Sequence, residues 1–255
     1  MEKVKIIYHP KYLSDYPTAS VESPERVKAI YDELKNDFEF VEPKPCSEDD
    51  LLLVHTPSII KSVKINPLLF EVASLAVGGA ILTSELAIKG DKAFGLIRPP
   101  GHHASPDHHW GFCFFNNMAI AMERLIRNNK IKKGLVLDID LHFGDGTDNF
   151  FSSRKDMVVA NIQASDRKSF VEQVKQVLEI NIYDIIGISA GFDRYELDWG
   201  ATLTTEDFEE IGKLVAINAS KKCNGRCFAL LEGGYYLPDL GKNVKALLNG
   251  MAYES

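Results

Sequence analysis

Six apolar, β-branched runs lie at Val4–Tyr8, Ala93–Ile97, Gly134–Leu141, Met157–Ile162, Asp184–Ala190 and Arg226–Leu231. Between them stand helical patterns. Leu68–Ile88 has the apolar spacing and Ala content of a packed helix, and Asn117–Arg127, Ser169–Ile180 and Thr205–Lys222 are amphipathic. Thr204-Thr205-Glu206-Asp207 reads as a helix start with acids in the first turn. This alternation constrains the fold most. A strand that leads through a helix to another strand rejoins its sheet as a parallel neighbour. The expected class is α/β, with a largely parallel sheet flanked by helices. No repeat, low-complexity segment or linker divides the 255 residues, so 1–255 reads as a single domain.

Four of the runs end in chemistry: LIRPPGHH, DIDLHFGDG, ISAGFD and LLEGGYY. In open parallel sheets, ligands bind beyond the carboxyl ends of the strands. Four strand ends bearing His, Asp, Gly and Tyr are therefore expected to converge on one rim.

GLVLDIDLHFGDGT, from Gly134 to Thr147, is the most demanding of these stretches. Read as a strand of period two, it puts Leu135, Leu137, Ile139 and Leu141 on one face. Val136, Asp138, Asp140 and His142 share the other. Ionised carboxylates on a half-buried face cost roughly several kcal/mol each unless paired or metal-bound. Asp140 and His142 can reach one ion, and Asp193, after another strand end, can add a third ligand. One His and two Asp suit Zn²⁺ or Fe²⁺, with positions left for water and a substrate oxygen. Adjacent His102 and His103 follow the rigid Pro99-Pro100-Gly101 segment, and Asp138 and Asp145 remain available as their carboxylate partners. Tyr235, after two glycines, can donate a hydrogen bond to an oxyanion, with Tyr236 as the competitor for that role.

Composition narrows the classes. The net charge of −7 and pI near 5.5 argue against a nucleic-acid backbone binder. No uninterrupted apolar run of the ~18–20 residues needed for a membrane span is read, nor a secretion signal at the start. Cytoplasmic residence with reduced thiols is expected for Cys46, Cys113, Cys223 and Cys227.

The stretches SPERVKAI, VHTPSII, RPPGHHA, GFCFFNNMAIA, VLDIDLHFGDGT, ISAGFD and LEGGYY together resemble the histone deacetylase family, near its class II-like and acetylpolyamine-amidohydrolase-like branch. They run in family order over nearly the whole chain. The resemblance implies an arginase/deacetylase-type fold and a zinc-dependent hydrolase acting on an N-acylated lysine or small amine. It implies metal ligands Asp140, His142 and Asp193, and catalytic residues His102, His103, Asp138, Asp145 and Tyr235. Within these, His103 with Asp145 would be the principal base and then acid. His102 with Asp138 would stay protonated. Gly111 and Phe112 would line the acyl channel, and Arg26 would lie deep near the acetate exit. A structural K⁺ is implied too, held by oxygens around Asp138, Asp140 and His142, with Asn161 and Ile162 completing the shell.

Departures from the family pattern bear on the rim. Phe143 stands where relatives often carry a second His. The acidic rim loop before RPPGHHA has no clear counterpart. The Gly-rich loop that supplies the second aromatic wall is missing after MVVANIQ. A shallower, wider mouth is expected, edged by His109 and Trp110 unless a partner subunit of a homo-oligomer covers it. Trp110 counts as a substrate-binding candidate, and His109 and Trp110 read equally as a rebuilt rim or as exposed residues. Two rival readings stand: an arginase-like ureohydrolase, with Asp198 as the nearest extra ligand, and a non-catalytic metal- or acyl-ligand-binding protein.

Overall fold

The computed structural model describes residues 4–254. Seven strands form one all-parallel sheet: β1 (Lys5–Ile7), β2 (Glu39–Val41), β3 (Ala93–Gly95), β4 (Gly134–Asp138), β5 (Met157–Asn161), β6 (Ile185–Ala190) and β7 (Cys227–Leu231). Their order across the sheet is β2-β1-β3-β7-β6-β4-β5. The nine α-helices among the described residues are α1 (Pro24–Leu34), α2 (Glu48–Leu51), α3 (Pro57–Lys64), α4 (Pro67–Ile88), α5 (Asn117–Arg127), α6 (Asp145–Phe151), α7 (Arg167–Ile180), α8 (Thr205–Cys223) and α9 (Leu237–Met251).

The sheet order explains the convergence of the four strand ends. β3, β7, β6 and β4 lie side by side in the middle of the sheet, so their carboxyl ends share one edge. α8 packs on α9, α9 on α1, and α7 on α8, while α4 packs on α5. Both α8 and α4 also reach β6 and β7, which buries the central strands.

Burial corrects the reading of β4. Every residue of Gly134–Asp138 is buried, so both faces of this strand are inside and neither is half-exposed. The strand also ends at Asp138, and Asp140 and His142 lie in the irregular segment beyond it.

α4 is the packed helix that its apolar spacing and Ala content suggest. By length and composition Pro67–Ile88 could cross a membrane, yet it is the core helix of this fold. Val72, Ala76, Val77 and Ala80 have no exposure. Its N-terminus is capped by the Asn66 side chain, which accepts from the Leu69 N–H at 3.0 Å. The α8 start behaves as its sequence suggests: Asp207 accepts from the Thr204 N–H at 2.8 Å.

Candidate metal centre and active site

Asp140, His142 and Asp193 come together, with their ligand atoms within 4.8 Å of one another. The first two lie just after β4 and the third just after β6, strands that are hydrogen-bonded neighbours. His142 Nδ1 is 3.2 Å from Asp140 Oδ1 and 3.0 Å from Asp193 Oδ2. The close approach depends on a residue without a side chain: a Cβ on Gly191 would lie 2.1 Å from Asp140 Oδ2. The Gly233 N–H donates to that same oxygen at 2.8 Å.

The electrostatics describe a site short of positive charge. Burial raises the Asp193 carboxyl to about 6, and neighbouring Asp140 pushes in the same direction. Burial also opposes ionisation of Asp140, but the His102 charge and hydrogen bonds from His142 hold it well below the usual range. The hydrogen-bonded Asp140 carboxylate and the nearby Asp193 carboxylate raise His142 to about 10. Asp193 Oδ2 is buried and makes no well-formed hydrogen bond, although His142 Nδ1 lies nearby. One imidazole and two carboxylates, one of them with a buried oxygen that lacks a well-formed hydrogen bond, fit a divalent cation.

A second group, His102, Cys113 and Glu232, is also close enough to hold an ion. Its donors are already engaged. Glu232 Oε2 accepts from the N–H of Gly101 at 2.7 Å and of His102 at 3.2 Å, and Oε1 accepts from Ser189 Oγ at 3.2 Å. Burial keeps the Cys113 thiol protonated. Glu232 therefore anchors the tandem-histidine segment. The sequence contained a signal for it, an acid directly after the buried run ending β7, which the motif reading passed over.

Both histidines are buried, and each meets its expected partner. His102 Nδ1 lies 3.0 Å from Asp138 Oδ2, and His103 Nδ1 lies 2.7 Å from Asp145 Oδ1. The two dyads differ electrostatically. His102 is raised well above the ordinary range because Asp140 and Asp138 outweigh its burial. His103 is lowered to about 4 by burial and by the charge on His102.

Tyr235, Phe112, Gly111 and Trp110 line a cavity of about 110 Å³ with His102, His103, Asp140 and His142. Gly111 has φ +59°, and a Cβ there would lie 2.4 Å from His103 Cδ2, so the channel wall needs glycine at this turn. Arg26 is buried beneath the tyrosine, its guanidinium 4.9 Å from the Tyr235 ring. Its Nε donates to Gly234 O at 2.6 Å and its Nη2 to Glu232 O at 2.5 Å.

The rim departs from expectation. Trp110 does edge the cavity, packed on His103 with ring centroids 4.0 Å apart and with Nε1 donating to Asp145 Oδ2 at 2.8 Å. His109 does not line it and packs on Phe114 instead, at 5.2 Å. Trp199, which motif reading missed, also lines the cavity and is half exposed there. Tyr236 lies off the cavity, 6.1 Å from the Tyr195 ring, which leaves Tyr235 as the tyrosine of the site. Asp198 is committed to backbone: Oδ2 accepts from the N–H of Tyr235 at 2.6 Å and of Tyr236 at 2.8 Å, and Oδ1 from Trp199 N–H at 2.7 Å.

An all-parallel α/β sheet with an Asp-His-Asp cluster and two His-Asp dyads at its carboxyl edge defines an α/β domain with a candidate metal centre. The histone deacetylase domain model matches residues 20–176 and 163–251, and the chain belongs to that family. It is 30% identical to a probable deacetylase of Methanothermobacter thermautotrophicus, over 96% of this chain and 90% of that protein. It is 29% identical to the acetylpolyamine amidohydrolase of Mycoplana ramosa, over 74% of this chain and 65% of the relative. The crystal structure of the HDA15 HD domain shares the fold, with TM-score 0.87 at 22% identity, covering 98% of this chain and 91% of that one.

Proposed function

We propose that this chain hydrolyses the amide of an acetylated amine, an acetyl-lysine or an acetylated small amine, with Zn²⁺ or Fe²⁺ held by Asp140, His142 and Asp193. One observation carries the reading: Asp140, His142, His102, His103 and Tyr235 line one small cavity, with Asp193 against His142 and with Asp138 and Asp145 behind the two histidines. The bound ion would supply Lewis acidity toward the acyl oxygen and the attacking water.

The protein groups divide the remaining work. His103 is neutral at pH 7, and its Nδ1–H is held by Asp145, so its Nε2 is the atom that takes the water proton and returns it to the leaving amine. His102 stays charged beside Asp138 and stabilises negative charge developing in the cavity. Tyr235 keeps its phenol proton, because burial raises it, and donates a hydrogen bond to the tetrahedral oxyanion. Trp110 holds the His103–Asp145 dyad from outside by stacking and by its N–H. A cavity of about 110 Å³ suits an acetyl group better than a long acyl chain. The ureohydrolase reading loses its extra ligand, since Asp198 is taken by three backbone N–H groups.

The test is a turnover screen with metal-loaded protein across acetyl-lysine peptides, acetylpolyamines and longer acyl-lysines. Hydrolysis of at least one acetylated amine, with longer acyl groups slower, is expected. Failure on all of them by protein of full metal content would leave the non-catalytic binding reading in its place.

A further inference from the structure

Arg194 follows the candidate ligand Asp193 and is buried, with 4% of its surface exposed. A buried arginine normally needs a carboxylate partner. Among the described residues Arg194 forms no salt bridge, and its hydrogen bonds go to main-chain carbonyls. Nε donates to Asp140 O at 3.2 Å. Nη2 donates to Ile162 O at 3.0 Å and Leu141 O at 3.3 Å, and Nη1 to Ala164 O at 3.5 Å. The guanidinium lies 4.9 Å from the centre of the Phe170 ring.

These carbonyls overlap the shell that the family resemblance assigns to potassium. The oxygens of Asp140 and Ile162 both belong to that shell, and both accept from Arg194. Other members are engaged as well. Asp138 O accepts from the Ile162 N–H at 3.0 Å, and Asp138 Oδ1 from the Asp140 N–H at 3.0 Å. Asn161 Oδ1 accepts from the Gly144 N–H at 2.7 Å. A potassium ion ligated by Asp140 O and Ile162 O would sit against a fixed guanidinium of the same sign, inside a low-dielectric interior. The residues present do not fit the ion.

They do fit its replacement. An arginine is charged at every accessible pH and offers five donors in a rigid fork, which suits a ring of carbonyl oxygens. Burial works against its charge and lowers it from the ordinary arginine value, while nearby Asp193, Asp140 and Asp138 work in its favour. Its contacts join the segment after β4, the end of β5 and the end of β6, the first and last of which carry the divalent-metal ligands. We propose that the Arg194 guanidinium is the built-in monovalent cation of this chain, stapling the ligand-bearing loops without potassium. This inference concerns the fold of the loops and stands apart from whether the chain turns over any acetylated amine.

The experiment is thermal melting of the metal-loaded protein, with K⁺ or choline as the only monovalent cation at equal ionic strength. Wild type should melt within about 1 °C in the two salts. Arg194→Ala should melt lower, and its Tm should climb saturably with K⁺ and not with choline, by roughly 5 °C when K⁺ reaches a hundredfold of its dissociation constant. Thallium-205 NMR of wild type, with Tl⁺ as the K⁺ probe, should show no bound ion. If Arg194→Ala does not fold, the two wild-type measurements decide. A saturable, K⁺-specific rise of Tm in wild type, or bound Tl⁺ there, overturns the proposal. So does a folded Arg194→Ala whose Tm ignores K⁺, because the carbonyls would then not be a cation cradle.

Discussion

The indole of Trp199 lies flat on the ring of Tyr235, with centroids 4.2 Å apart and planes 22° apart. The same indole meets His142 edge-on at 6.0 Å. Its neighbour Asp198 accepts the main-chain N–H of Tyr235 and Tyr236. The loop after β6 therefore fixes the tyrosine twice, by its backbone and by its ring, while also supplying Asp193 to the metal cluster.

Removing the stack should loosen Tyr235 and take away the edge contact on His142 while leaving the ligand atoms of Asp140, His142 and Asp193 in place. An aromatic pair contributes about 0.5–1.5 kcal/mol beyond its buried area, so Trp199→Ala should lower kcat/KM roughly 3- to 10-fold. Bound metal should stay at the wild-type level by elemental analysis. An unchanged kcat/KM on an acetyl-lysine peptide would show that the stack does no positioning.

Tyr235→Phe keeps the ring, and so the stack on Trp199, but removes the donor. Loss of one oxyanion donor typically costs about 10²–10³-fold in kcat. Melting temperature and metal content should hold. Tyr236→Phe serves as the control and should stay near wild type, since that ring lies off the cavity. The reverse pattern would put the donor on Tyr236.

Asp140→Ala and His142→Ala should each abolish stoichiometric divalent-metal binding, measured by calorimetry with Zn²⁺, and activity with it. Asp140 is the stricter case, because its carboxylate also accepts the Gly233 and His142 N–H groups. Full metal occupancy in Asp140→Ala would mean that the ion does not sit on this cluster.

His55 gives a pH prediction remote from the metal ligands. It is buried, its Nε2 accepts the Asn116 N–H at 2.8 Å, and its Nδ1 lies 3.1 Å from Ser105 O, so the ring is neutral with its proton on Nδ1. Burial lowers it from 6.5 to about 4. The unfolded chain thus binds a proton in that window while the folded chain does not, and stability falls as pH drops from 6.5 toward 4. The contribution lost is at most about 3 kcal/mol. Urea unfolding of wild type and His55→Asn across this range should show a steeper decline in wild type. Parallel curves would refute the assignment.

What the chain's local pattern determined, and what it left to the tertiary structure, separates by the range of the interactions involved. The six runs yielded strands because each is a short, largely apolar block, and such a block is visible in the sequence itself. β2 carries no such mark: Glu39–Val41 is three residues long at the sheet's edge and only partly buried. The candidate ligands and dyads were legible because His and Asp cannot be placed beside a buried strand without a compensating charge. Their geometry was not. Period-two alternation extends the strand through Asp140 and His142, yet β4 stops at Asp138 and an irregular turn aims them. Glu232, Trp199 and Arg194 acquire roles only through partners far along the chain or across the sheet: Gly101, Tyr235, and the carbonyls of Asp140 and Ile162. Nothing in their immediate neighbours distinguishes them from a strand-end acid, a surface aromatic or a solvated arginine. Local periodicity decides which residues are buried. The order in which strands join the sheet decides which of them meet, and here that order set β3, β7, β6 and β4 side by side.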